Sequence, residues 1–161
     1  MATYTAQWRD NQTVVISNDE IVFGMIEFEQ SQGILYTNAL LKAANSTFDA
    51  NSDGKNVIIK KDGIEVFTAV FHPLWGNLEL RTEGEDTGYD INGKWFKPGT
   101  RLTDSEDNDL VVVTSDPWTG TEMEIISNDE NIWPLMIVAT IYFHIRASAA
   151  KSVGVIIGNM P

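Results

Sequence analysis

Apolar and polar positions alternate in short runs along most of this chain. Thr13–Ile16, Ile21–Phe28, Gly33–Thr37, Asn56–Lys61, Gly63–Phe71, Trp75–Arg81, Lys94–Phe96, Thr100–Thr103, Asp109–Thr114 and Thr121–Ile126 are rich in Val, Ile, Phe and Trp and read as strands. Turn chemistry divides them, at Asn18-Asp19, Ser52-Asp53-Gly54, Asp62-Gly63, Asn92-Gly93 and Asp107-Asn108. Asp62-Gly63 and Asn92-Gly93 predict tight hairpins, because these pairs accept the positive φ that primed turns require. Ile64, Val66 and Thr68 alternate with Glu65, Phe67 and Ala69, so the second face of that strand is not fully polar. Such strands suit a sheet covered on both sides or closed around something.

One segment breaks the alternation. Ile132–Ala150 has no Gly and a single Pro near its start, where a first helical turn tolerates it. Ser127 stands three residues before Glu130, the spacing of a capping box. These signals predict a helix over about 132–149. Leu135, Met136, Ile137, Val138, Ile141, Tyr142, Phe143 and Ile145 cover nearly every face of it. A helix apolar all round belongs in a core or a membrane. The apolar run stops at His144 and Arg146, short of the roughly 20 residues a bilayer needs, so the reading is a core helix and not a transmembrane one. A last strand is expected over about 152–157, and a short helix over Asn38–Ala44. Many antiparallel strands with one all-apolar helix are most simply arranged as a closed barrel whose lumen the helix fills. Closure removes sheet edges, and a barrel of around ten or more strands is too wide for its own side chains to fill.

The chain has 161 residues, which suits one domain over 1–161. Eleven basic residues against 23 acidic ones give a net charge of −12. That argues against nucleic acid as a partner, since phosphates are bound by Lys and Arg that release counterions. It also means repulsion from anionic membranes. Cysteine is absent, which removes disulfides, thiolate metal sites and cysteine catalysis. The start of the chain carries no basic region followed by an apolar run, so the expected location is cytoplasmic. Asn11-Gln12-Thr13 and Asn45-Ser46-Thr47 match the glycosylation pattern and are read as chance matches.

Three stretches carry a resemblance. Asn131-Ile132-Trp133-Pro134-Leu135 runs into the apolar helix. Ser152–Ile157 follows that helix. Tyr89-Asp90-Ile91-Asn92-Gly93-Lys94-Trp95-Phe96 leads through Arg101-Leu102-Thr103-Asp104 to Asp109-Leu110-Val111-Val112. Together they resemble the tubby C-terminal-like superfamily, which includes the tubby domain, LURP-one-related proteins and phospholipid scramblases. The first looks like that family's buried helix with its aromatic-Pro-Leu opening, the second like its last strand, the third like its repeated strand and acidic-turn pattern. The resemblance implies a closed antiparallel barrel of about 12 strands, mainly β, around a central hydrophobic C-terminal helix.

The same resemblance implies a lipid partner, with a phosphoinositide head group bound by Lys and Arg. The basic candidates here are Lys60 and Lys61 with Lys94, Lys97 and Arg101, which would form one patch only on neighbouring hairpins. The simpler reading of them is solvated strand ends balancing nearby carboxylates. No tubby residue is carried onto these positions. Scramblases imply calcium. Asp49 to Lys55 matches the first half of an EF-hand loop, but Lys60 stands where a bidentate Glu is needed. Asp104, Glu106, Asp107 and Asp109 form a carboxylate cluster of the kind that holds Ca²⁺ weakly, or that solvates a hairpin turn. No other cofactor is implied.

For catalysis the sequence holds only His72 and His144, and no nucleophile elbow, phosphate loop or dinucleotide fingerprint. Glu27/Glu29 and Glu122/Glu124 alternate on strands and so share faces, an arrangement glycosidases use. Trp118, in Ser115-Asp116-Pro117-Trp118-Thr119-Gly120, is the expected exposed aromatic contact. Ile-Ser-Asn-Asp-Glu occurs at 16–20 and again at 126–130, the first read as a turn between strands and the second as the helix cap. The leading expectation is a non-enzymatic binding or scaffold protein for a lipid or small apolar ligand. The alternatives are a carbohydrate-binding or defence module using an exposed Trp, and an acid/base enzyme working in a barrel cleft.

Overall fold

The computed structural model describes residues 1–29, 38–53, 56–72, 77–93, 99–115 and 122–158, with 149–158 described by backbone alone. The strands expected at Gly33–Thr37 and Lys94–Phe96 lie outside the described residues.

Twelve strands form a single closed ring: β1 Ala2–Trp8, β2 Thr13–Asn18, β3 Ile21–Phe28, β4 Ala39–Ala43, β5 Ser46–Ser52, β6 Val57–Lys61, β7 Ile64–His72, β8 Asn77–Thr82, β9 Glu85–Gly93, β10 Thr100–Thr103, β11 Asp109–Ser115 and β12 Glu122–Ser127. Each pairs antiparallel with its neighbours in sequence, and β1 closes on β12 with Ala2 opposite Ser127 and Gln7 opposite Glu122. Among the described residues a single helix, α1 Pro134–Gly158, follows.

One end of the barrel is made of tight turns. Asp19-Glu20, Asp62-Gly63 and Glu83-Gly84 each place two successive residues at positive φ, the primed geometry that follows the right-handed twist of paired strands. Ile-Ser-Asn-Asp-Glu at 16–20 is thus a strand-to-strand turn, as its composition implies. Asn92-Gly93 is not the expected hairpin. Both residues remain in β9, paired with Arg101 and Thr100 of β10, because the strand continues past them.

Three further expectations are corrected. Asn38–Ala44 contains β4 and not a helix. Ala39, Leu41 and Ala43 are buried while Leu40 and Lys42 are half-buried, which is a period of two. In so short an apolar run, pairing with β3 and β5 overrides helix propensity. The strand expected over 152–157 is helical, since α1 continues to Gly158 and the ring closes through β1 and β12 instead. Ser127–Glu130 does not cap α1. Ser127 ends β12, and Asp129 Oδ1 accepts the Asn131 amide at 2.9 Å in a turn that lies before Pro134.

The inner face explains the helix. Several strands turn their smallest residues inward, at Ala6, Gly24, Ala39, Ala43, Ala50 and Ala69, and these walls leave the space α1 occupies. Leu135–Ile145 is buried throughout, on every helical face. α1 packs most closely against β3–β4 and, across the lumen, β10–β11. A Cβ at Gly24 would meet the Lys42 backbone carbonyl oxygen at a distance no real side chain adopts, and would lie 3.2 Å from Val138 Cγ2. The Tyr142 ring stacks on Phe28 at 5.9 Å between centroids. Thr140, buried within the helix, donates its hydroxyl back to the Met136 carbonyl at 2.6 Å, so it needs no partner in the lumen. Among the described residues no helix is long and apolar enough to cross a membrane.

Candidate functional site

α1 enters the barrel at the tight-turn end and leaves a cavity of about 330 Å³ there. The helix stands away from the β7–β9 wall, and a bulge shapes that wall. Pairing between β8 and β9 slips between Glu79 and Arg81. Asp86-Thr87-Gly88 accommodates the slip: Asp86 Oδ1 accepts the Gly88 amide at 2.8 Å, and Gly88 takes φ +85°. Thr87 Oγ1 donates to the Leu80 carbonyl at 2.6 Å and accepts the Tyr89 amide at 3.2 Å. The bulge sets Tyr89 at the cavity. Opposite it, the 129–133 segment between β12 and α1 supplies Asp129, Ile132 and Trp133, while Leu102, Leu110 and Met136 form an apolar floor. Trp133 is 47% exposed and meets Phe48 edge-on at 5.8 Å.

Toward the opposite mouth, polar side chains tie α1 to the strands. His144, buried on α1, is hydrogen-bonded through Nδ1 to Thr100 Oγ1 at 2.9 Å and through Nε2 to Ser115 Oγ at 2.6 Å. Both ring nitrogens are therefore satisfied by hydroxyls from β10 and β11. Two residues on, Arg146 donates to Ser52 Oγ at 3.2 Å and lies over the Tyr142 ring at 5.8 Å. Burial raises the Tyr142 hydroxyl pKa to about 12, so it stays neutral. This is the satisfied core histidine that its place on an apolar helix suggests.

A third cluster lies on the outer face of β7–β9. Glu79 accepts two bonds from Arg81, each at 3.2 Å, and contacts His72 Nε2. Arg81 first and His72 second hold the Glu79 carboxyl below its ordinary range. Asp90, opposite Glu79 in the register, is shifted upward by burial and by the charges of Asp86 and Glu79. Divergent carboxylates can mark acid/base chemistry. Here Glu79 is braced by Arg81 and His72 on the outside of the barrel, which makes a hydrogen-bonded wall.

The basic residues named from sequence do not converge. Lys60 and Lys61 end β6 at the tight-turn end, and Lys61 Nζ sits 5.7 Å from the Phe48 ring centroid. Lys94, Lys97 and Trp118 lie outside the described residues. Arg101 donates to Asp109 at 2.7 Å and to Asp107 at 3.3 Å, so its guanidinium is committed to carboxylates. The acidic candidates are likewise spent locally. Asp104 accepts the Asn108 and Glu106 amides at 2.9 and 3.0 Å, the first being the main cause of its lowered pKa. Asp107 and Asp109 hold Arg101, and Glu106 is exposed on the turn. Among the described residues no group of three or more His, Asp or Glu side chains could hold a metal ion. Asp49–Ser52, the first positions of the EF-hand-like stretch, are extended in β5 and not looped. Glu27 faces Lys42 at 3.2 Å, and Glu122 and Glu124 are exposed outside the barrel.

The residues that make the cavity escaped the sequence reading. Trp133 stood there as the opening of a helix, Tyr89 as the start of the tubby-like strand pattern and Asp129 as part of the expected helix cap, none of them as part of a cavity, while Thr82 and Thr87 carried no motif. The one available signal was Asp86-Thr87-Gly88, a turn-former inside a strand. Comparison with protein-family models, curated proteins and solved structures finds no match to this chain.

Proposed function

We propose that this chain is a non-enzymatic binding protein that takes a small apolar ligand in the cavity at the tight-turn end of its barrel. The observation that carries this reading is the cavity itself. Its volume of about 330 Å³ is at the lower end of the range for small-molecule sites, and an apolar lining with a few polar groups is their usual composition. The lipid-related reading that the tubby-like resemblance implies is compatible with such a site. A phosphate head group is less favoured, because Arg101 is held by Asp107 and Asp109.

Titration with the neutral fluorescent probe N-phenyl-1-naphthylamine tests it. Saturable binding is expected, with its emission enhanced and blue-shifted. Thr82→Trp should abolish the signal, because Thr82 is exposed at the cavity edge and the larger ring would fill the space. Absence of binding to the folded protein, or equal binding by Thr82→Trp, would sink the proposal.

A further inference from the structure

The charges around the cavity select among apolar ligands. Asp129 is the one charged residue lining it among the described residues. Its Oδ1 accepts the Asn131 amide, and its Oδ2 has no hydrogen bond among the described residues. Glu83, on the β8–β9 turn, and Glu85, the first residue of β9, are exposed between the cavity residues Thr82 and Thr87. Lys61, the nearby cation, is turned onto Phe48 and Ser46. Tyr89 and Trp133, 40% and 47% exposed, both line the cavity. Aromatic faces attract cations and carboxylates complete the attraction. An anionic ligand would instead meet Asp129, the acidic turns and a net charge of −12.

We infer that the cavity binds a small organic cation, an ammonium or guanidinium group carried on an apolar body. The apolar part rests on Leu110, Ile132 and Met136. The cation lies at the opening, beside Asp129 and the rings of Trp133 and Tyr89. This rests on the proposed ligand-binding role of the cavity and names the class of ligand.

The test is displacement of bound N-phenyl-1-naphthylamine by decyltrimethylammonium and by decanoate, which share a ten-carbon chain and differ in charge. At low salt the cation should displace the probe at a concentration roughly tenfold or more below that of decanoate. Asp129→Asn keeps the acceptor for the Asn131 amide and removes the charge. It should cut the preference, read as the ratio of the two displacing concentrations on that variant, about fivefold or more. Glu124→Gln, on the outer face of β12, should leave the preference intact. If decanoate competes as well as the cation while the probe still binds wild type and not Thr82→Trp, the cation inference fails and the cavity reading stands. Equal loss of preference in Asp129→Asn and Glu124→Gln would reduce the effect to net charge and also overturn the inference. Failure of the probe itself to bind would remove both readings.

Discussion

The two mouths of this barrel are crossed by the same helix and are built in opposite ways. At the tight-turn end Trp133, just before α1, stands half in solvent, and the space beside it is unfilled. At the other end His144 and Arg146 are tied by hydrogen bonds to Thr100, Ser115 and Ser52. Among the described residues, the most strongly exposed large apolar side chains, Met1, Ile21, Val22 and Ile64, stand on or beside the turns of the open end. The contrast shows how one apolar helix serves two purposes. Its middle fills a lumen too wide for the strands alone. Its ends need different company, because a polar side chain inside a barrel must find partners while an apolar one at a rim can leave room for a ligand.

The comparison can be broken first at the shared pillar. Ile141→Ala removes a fully buried side chain between both mouths and should cost about 2–5 kcal/mol in urea unfolding. Ile21→Ala, at an exposed turn, should change stability by less than about 0.5 kcal/mol. Equal effects would show that the helix does not fill the lumen.

Next in size is Gly24→Ala, which pushes a methyl group toward the Lys42 carbonyl and Val138 and should cost about 1–3 kcal/mol. A neutral outcome would mean the wall yields to the helix.

The plug can then be set against the open mouth. His144→Phe leaves the Thr100 and Ser115 hydroxyls without their shared partner and should cost about 1–3 kcal/mol, without weakening N-phenyl-1-naphthylamine binding. Trp133→Ala should behave in reverse. It loses one aromatic edge contact, about 0.5–1.5 kcal/mol, and most of the probe affinity. If His144→Phe impairs probe binding as much as Trp133→Ala does, the two ends are not functionally distinct.

The smallest expected effect is on the outer wall, as a function of pH. Glu79 has a lowered folded pKa, so its ionised form stabilises the fold above the ordinary carboxylate range. That contribution is lost as pH falls through the lowered value. Asp90 has the opposite sign. Its folded pKa is raised above the ordinary 3.8, so its charge costs stability at neutral pH and the cost disappears on acidification. Asp90→Asn should therefore raise the thermal midpoint at pH 7 and leave it unchanged at pH 3. A loss of stability at pH 7 would show that the Asp90 charge has a favourable partner.

Much of the barrel was legible because its signals are local. Ile21–Phe28 and Thr100–Thr103 were read with the boundaries they have, since alternation and turn residues act within a few positions. β1, β5 and β9 escaped because Thr, Gln, Asp and Asn dilute their apolar faces. In β9 the bulge at Asp86-Thr87-Gly88 also breaks the period. Asn38–Ala44 was misread because five residues with Ala and Leu fit either period until β3 and β5 pair with them.

Periodicity along the chain was enough to require that short apolar strands close around something, and to supply one helix, with an apolar run too short for a bilayer, to fill the space. The sequence by itself also determined that the surface would be acidic. These follow from periodicity, length and charge, which are properties of neighbouring residues. Only the tertiary structure decided that His144 would be plugged by two hydroxyls, that Arg101 would be spent on Asp107 and Asp109, and that Trp133, Tyr89 and Asp129 would share one cavity. The reason is geometric. Those residues come from strands and segments distant in sequence, and their meeting depends on strand register, on the β9 bulge and on how far the helix stands from the β7–β9 wall.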